Sequence, residues 1–149
     1  ATALRSTLST PTNSQRHDRA LKLVHLGESG VTRWSRSHPE RQIPTAIEGV
    51  DQLWISAISL WEIATLVRLG RVALDRPQRR WVADLLAGSV GCLDVGPAVA
   101  AEAGSLEGFH GDPADRIVCA TAQEHRMALV TKDRRLSDHA ASQGVPVIW

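Results

Sequence analysis

Short apolar runs of β type alternate along this chain with longer stretches of helical period, and that alternation constrains the fold more than any other feature. The runs are LKLV at 21–24, LWIS at 53–56, CLDV at 92–95, ALVT at 128–131 and VPVIW at 145–149. Each is too short for a helix, and turn-forming or polar residues lie around them. Between them, QRRWVADLLA at 78–87 reads as a helix closed by Gly88, and PAVAAEAGSL at 97–106 as a helix entered at Pro97. Parallel neighbours in a sheet need a long crossover, which a helix supplies. The expected fold class is therefore α/β, with a central parallel sheet and helices on both faces. Residues 27–52 give no clean period and read as a strand-to-helix exit followed by a loop.

A chain of 149 residues, 43% hydrophobic, buries one core and leaves little room for a second domain. The expected organisation is a leader over 1–20, ATALRSTLSTPTNSQRHDRA, and one domain over 21–149. The leader is rich in Ser, Thr and Arg and poor in acids; that composition suits a disordered segment better than a transit peptide, which shares it. No apolar run reaches the roughly eighteen residues of a membrane span. A soluble, cytoplasmic protein without a membrane partner is expected. The two cysteines, Cys92 and Cys119, are too few and too far apart for a disulfide framework. A net charge of +1 neither requires nor excludes nucleic acid, since 17 basic residues can still gather on one face.

In open parallel sheets, functional groups collect at the carboxyl ends of the strands. Three strand-to-helix junctions of this chain carry acids. In WISAISLWEIATLVRLGRV, residues 54–72, Glu62 stands three residues after Ser59. That spacing makes a capping box, with Ile58 and Ile63 as its hydrophobic staple and Gly70 as the helix stop. A carboxylate there also reaches the crevice. In GDPADRIVCATA, residues 111–122, Asp112 precedes Pro113 as a natural N-cap and Asp115 follows at the third helical position. Ile117, Val118, Thr121 and Ala122 then supply the inward face. Asp133, in LVTKDRRL, follows the fourth apolar run.

Gathered carboxylates repel by roughly 3 kcal/mol per pair at about 5 Å with an effective dielectric near 20. A hard divalent cation removes that cost. Mg²⁺ or Mn²⁺ suits an all-oxygen set and can activate water against a phosphodiester. Glu62, Asp115 and Asp133 are thus candidate metal ligands and catalytic residues, with Asp112 beside them; a coincidence of caps is the competing explanation.

Other chemistries fit poorly. The histidines show no HExxH spacing, the two cysteines cannot close a zinc site, GESG at 27–30 falls short of a nucleophile elbow, and no GxxxxGK[ST] loop occurs. Trp34, Trp54, Trp61, Trp81 and Trp149 are expected in the core or at a dimer contact rather than as base-stacking platforms. Lys132, Arg134 and Arg135 are candidate contacts to an RNA backbone, a solvated basic turn being the ordinary alternative.

Read together, LWISAISLWEIATLVRLGRVALDRP, GDPADRIVCATAQEH and LVTKDRRL strongly resemble the PIN-domain ribonucleases of the VapC toxin type, over about residues 46–149. The resemblance implies a PIN-like α/β/α sandwich, Mg²⁺- or Mn²⁺-dependent endoribonuclease activity, a homodimer, and neutralisation by a cognate VapB-like antitoxin. It matches Glu62 to the family's helix glutamate, Asp115 to its third acid and Asp133 to its fourth. The family's first strand ordinarily ends in an aspartate followed by Thr or Ser. Here the corresponding stretch is LKLVHLGESGVTRW, and no aspartate occurs between Asp18 and Asp51. Glu28, followed by Ser29, is the nearest match in type, and Gly27 is an equally placed alternative. Two functions follow as expectations: an active metal-dependent endoribonuclease toxin, or a catalytically weakened PIN-like module that binds antitoxin or RNA. A related metal-dependent phosphatase or DNA nuclease is a third.

Overall fold

The computed structural model describes residues 19–22, 32–34, 52–88, 90–109 and 112–148. In chain order the elements are β1 (Arg19–Lys22), β2 (Thr32–Trp34), β3 (Gln52–Ser56), α1 (Ala57–Arg68), β4 (Val72–Leu74), α2 (Gln78–Leu86), β5 (Val90–Leu93), α3 (Pro97–Ser105), α4 (Pro113–Glu124), β6 (Ala128–Val130), α5 (Arg134–Ser142) and β7 (Val147–Ile148). Of the leader, only Arg19 and Ala20 fall among the described residues, and they open β1.

Five strands form one sheet in the order β5-β3-β1-β6-β7, and every neighbouring pair is parallel. From β1 the chain builds outward on one side through β3 and β5, then returns to place β6 on β1's other flank. That reversal is a topological switch point, where the carboxyl ends of adjacent strands open a crevice. Leu21 pairs with Trp54 on one side and Leu129 on the other. β2 and β4 form a separate two-stranded parallel pair. Neither of these strands is evident from the sequence, because three residues are too few to show a period. β5 lies two residues earlier than the CLDV run suggests, because Gly91 belongs to the strand. Gly91 lies opposite Trp54 in the register. The indole lies against the glycine backbone so closely that a Cβ at 91 would overlap the ring.

The core lies between the sheet and its helices, with Leu93, Leu106, Val118, Cys119, Met127, Leu129 and Leu136 in one cluster. α4 is central to it. The helix packs against α3, α1, α5 and β6. Six of its residues are buried: Ala114, Val118, Cys119, Ala120, Thr121 and Ala122. Small side chains let neighbouring helices approach closely, and Val99, Ala103 and Ala120 form such a contact with Ile117 against them. Cys92 and Cys119 are both free thiols. Trp54 packs on the core, whereas Trp61 is 60% exposed, so a place in the core of the single chain does not hold for it.

Three helices end in the same way. After α1, Gly70 at φ +70° lets Gly70 N–H donate to Val67 O and Arg71 N–H to Leu66 O, a Schellman stop. α5 repeats it with Gly144, and α4 with Arg126 at φ 54°, where Met127 N–H donates to Ala122 O at 2.9 Å. Arg126 is the one described non-glycine residue with positive φ.

Among the described residues, no helix is long and apolar enough to cross a membrane.

Candidate metal centre

The sheet geometry gathers helix starts at one edge. α1 leaves β3 without an intervening loop, so Ser56 is both the last strand residue and the N-cap. α4 runs back toward β6 through only residues 125–127, which sets its N-terminus at the carboxyl edge of the sheet. α5 begins just beyond β6, with Asp133 as its N-cap. The starts of α1, α4 and α5 therefore share the edge at which β1, β3 and β6 end.

The capping box expected from Ser59 and Glu62 is not formed. With Ser56 as N-cap, Ser59 is the third helical residue; it is buried, and its Oγ has no hydrogen-bond partner. Glu62 is six residues past the cap, beyond the reach of a first-turn interaction, and Ile58 and Ile63 lose the staple positions with it. The physical reason is the missing loop: the chain turns directly from strand to helix, which moves the cap three residues upstream. Glu62 is thus free of the structural task that its spacing suggested.

Its surroundings give it another. The Glu62 carboxyl is pushed up to about 7, first by burial and then by the nearby charges of Asp115 and Asp112. Three of the acids picked out from the sequence therefore feel one another across the contact between α1 and α4.

Asp112 and Asp115 divide the labour at the start of α4. Asp112 is the N-cap, accepting from Ala114 N–H at 2.9 Å, and Pro113 fills the first helical position as its fixed φ allows. The cap being supplied, Asp115 is left as a half-buried acid in the first turn, where the helix dipole favours a negative charge.

The charge of Asp133 is not among the causes of the Glu62 shift. Its Oδ1 accepts from Arg135 N–H at 2.7 Å and Leu136 N–H at 3.1 Å, while its own N–H donates to buried Thr131 Oγ1 at 3.0 Å. Asp133 is therefore a helix cap, as the competing explanation from the sequence had it. Lys132, Arg134 and Arg135 flank it, all exposed. Glu28 and Gly27 lie outside the described residues.

Sequence reasoning also passed over the hydroxyls of Ser56, at the end of β3, and Thr131, just beyond β6. Ser56, Ser59, Thr121 and Thr131 are the buried polar residues of the described chain. Thr121 O–H donates to Ile117 O at 2.6 Å, so its lone pairs are what Ser56 Oγ meets at 3.5 Å. Polar side chains recurring at the carboxyl ends of strands, as in LWIS and ALVT, were the available signal.

The donor set is all carboxylate, the chemistry of a hard divalent cation, and burial together with the charges of Asp115 and Asp112 disfavours a negative charge on Glu62. Glu62, Asp115 and Asp112 fit such an ion in kind. Among the described residues, no group of three His, Cys, Asp or Glu side chains is close enough to enclose one.

A parallel α/β sheet with acids at the carboxyl edge defines a class, and comparison with known proteins gives it a name. Residues 31–142 match the family model described as PIN domain. The match begins upstream of the stretch from about residue 46 on which the resemblance rests. The sequence is 42% identical over 126 residues to Ribonuclease VapC22 of Mycobacterium tuberculosis (strain ATCC 25618 / H37Rv), covering 82% of this chain and 96% of that protein. The crystal structure of VapBC2 from Rickettsia felis, bound to a DNA fragment from its promoter, resembles the chain with a TM-score of 0.50 at 16% identity. That likeness covers 65% of this chain and 74% of the other. A toxin-antitoxin complex from Klebsiella pneumoniae gives a TM-score of 0.47 at 22% identity over 66% of this chain and 73% of that one. The chain belongs to the PIN-domain family, among its VapC-type members.

Proposed function

We propose that the protein is a divalent-metal-dependent endoribonuclease toxin that cleaves single-stranded RNA. The observation that carries this reading is the raised Glu62 carboxyl, held up by burial and by Asp115 and Asp112 within a PIN domain. The 42% identity to a ribonuclease supports the activity, and kinship with VapC-type chains supports a VapB-like antitoxin as partner. A homodimer, a cytoplasmic location and a full α/β/α sandwich belong to the same reading.

Glu62 and Asp115 would hold Mg²⁺ or Mn²⁺, with Asp112 beside them and Asp133 contributing from the start of α5. A bound ion of this kind supplies Lewis acidity and acidifies water for attack on a phosphodiester. The chain's own residues do the rest. Asp112 fixes the first turn of α4 and so the position of Asp115. Burial keeps Glu62 from being screened by solvent. Lys132, Arg134 and Arg135 offer positive charge to an RNA backbone at the same edge.

The test is cleavage of single-stranded RNA by the purified chain with Mg²⁺, with Mn²⁺ and with chelator. Metal-dependent cleavage supports the reading; none with either ion overturns it.

One observation favours a second reading, a weakened module that binds antitoxin or RNA: the segment between Asp18 and Asp51 lacks the aspartate that ordinarily ends the family's first strand. If Glu28 takes that place, its extra methylene disturbs the strict octahedral geometry that Mg²⁺ demands. Glu28→Asp then raises the rate or tightens metal binding, and Mn²⁺ activates the unaltered chain better than Mg²⁺. If Gly27 is the aligned position, Gly27→Asp gives the gain and Glu28→Gln changes nothing.

A further inference from the structure

Arg116 directly follows Asp115, and none of the chemistry above uses it. Its position is electrostatically wrong for its own helix. A cation in the first turn of α4 meets the positive end of that helix dipole. Something must compensate, and the side chain shows what does. Nε donates to Ala103 O at 2.8 Å, and Nη2 to Gly104 O at 3.1 Å and to Leu106 O at 2.7 Å. Nη1 donates to Phe109 O at 3.1 Å. The guanidinium carbon also lies 5.6 Å from the centre of the Phe109 ring.

Two of those acceptors are carbonyls at the end of α3 that no residue of α3 can satisfy. The last four carbonyls of a helix have no partner within it. Glu102 O is met by Leu106 N–H and Ser105 Oγ. Ala103 O and Gly104 O are met from α4, by Arg116. The other two acceptors belong to the connection that leads from α3 to α4. One side chain thus closes α3, fixes residues 106–109, and rests its charge on the negative end of the α3 dipole. The Phe109 ring also meets the His139 ring of α5, at 4.1 Å between centroids and nearly perpendicular.

Adjacent residues on a helix point about 100° apart. Arg116 grips α3 on one flank of α4's first turn, so the turn cannot rotate freely about its axis. Asp115 lies on another flank of a helix that packs against α1, and its charge acts on Glu62 there. Within α4 the first turn is held by the Asp112 cap on Ala114 N–H and by Arg116 N–H donating to Asp112 O at 3.3 Å, and the Arg116 side chain adds the tie to α3.

We infer that Arg116 is a positioning residue: by clamping the end of α3 it fixes the rotation of α4's first turn and aims Asp115 at the ion shared with Glu62. The inference rests on the proposed metal-dependent activity for its functional half. Lysine cannot replace arginine here, since an ammonium lacks the planar fork that reaches four carbonyls at once.

The experiment compares the full chain with Arg116→Lys and Arg116→Gln in three measurements. These are hydrogen exchange of the amides of 114–117 without metal, the Mn²⁺ dependence of the melting temperature, and kcat and KM for RNA cleavage against Mn²⁺. Both variants are expected to speed exchange in that turn, raise the half-saturating Mn²⁺ concentration by about tenfold or more, and lower kcat with KM little changed. A lower melting temperature with unchanged Mn²⁺ half-saturation and kcat would overturn the inference and leave Arg116 a structural cap. A rise in KM alone would also overturn it, in favour of direct RNA contact. Should the wild type neither bind Mn²⁺ nor cleave RNA, the ribonuclease reading fails. Exchange then decides the structural half by itself: unchanged protection at 114–117 refutes the clamp. If a variant does not fold, Phe109→Leu, which removes the ring beneath the guanidinium but keeps the carbonyl, is expected to show the same Mn²⁺ shift in weaker form.

Discussion

Asp115, in the first turn of α4, raises the pKa of Glu62, in the second turn of α1, across the contact between the two helices. Burial does more of the work than Asp115, and Asp112 adds to it. Each of these causes disfavours charge on Glu62, and a divalent cation among the three acids would reverse that preference.

A pH dependence follows. The folded chain holds a proton on Glu62 up to about 7, whereas the unfolded chain releases it near the ordinary 4.5. Between those values the native state binds more protons than the unfolded one, so stability without metal falls as pH rises through this window and levels off above it. Glu62→Gln, neutral throughout, should melt higher than the wild type at pH 8 without metal and about equally at pH 5. Mn²⁺ at pH 8 should raise the melting temperature of the wild type and not of the variant. Thermal melts at the two pH values check both statements.

Asp112 and Asp115 should separate by mutation. Asp112→Ala loses the bond to Ala114 N–H, at a cost of about 1 kcal/mol. In a chain of this size that lowers the melting temperature by about 2–4 °C. Asp112→Asn keeps an acceptor for the same amide and should melt close to the wild type. A fall for both variants alike would show that the charge, rather than the cap, stabilises the turn.

Arg126 offers a gain. It occupies the left-handed position of the α4 stop, where the equivalent residues after α1 and α5 are Gly70 and Gly144. A side chain there costs on the order of 1 kcal/mol, which glycine avoids. Arg126→Gly should therefore raise the denaturation midpoint without altering RNA cleavage, as urea melts and the cleavage assay would show.

Much of this arrangement can be read from the amino-acid order. The strand around Trp54, the helices entered at Gln78 and Pro97, and the Asp112 cap with Pro113 behind it all follow from local rules of period and capping. The failures have two causes: the point at which strand gives way to helix, which shifts a cap by a few residues, and contacts with neighbours distant in sequence. Ser59 has the spacing of a cap, but the absence of a loop after β3 gives that place to Ser56. Asp133 was read by its charge, while its Oδ1 is engaged by the amides of α5. Arg116 looks like an ordinary surface arginine until α3 lies beside it. The shared field of Glu62 and Asp115 needs residues 53 positions apart, and only the contact between α1 and α4 brings them together.

The central claim is that Glu62 and Asp115 serve one divalent ion used to cleave RNA, and the most direct measurement is metal-dependent cleavage by Asp115→Asn. Removing one carboxylate charge while keeping the side chain's shape should lower Mn²⁺-dependent cleavage by orders of magnitude, with the melting temperature without metal unchanged or higher because Glu62 loses a repelling neighbour. Cleavage at the wild-type rate by Asp115→Asn, with the same dependence on Mn²⁺, would contradict the account.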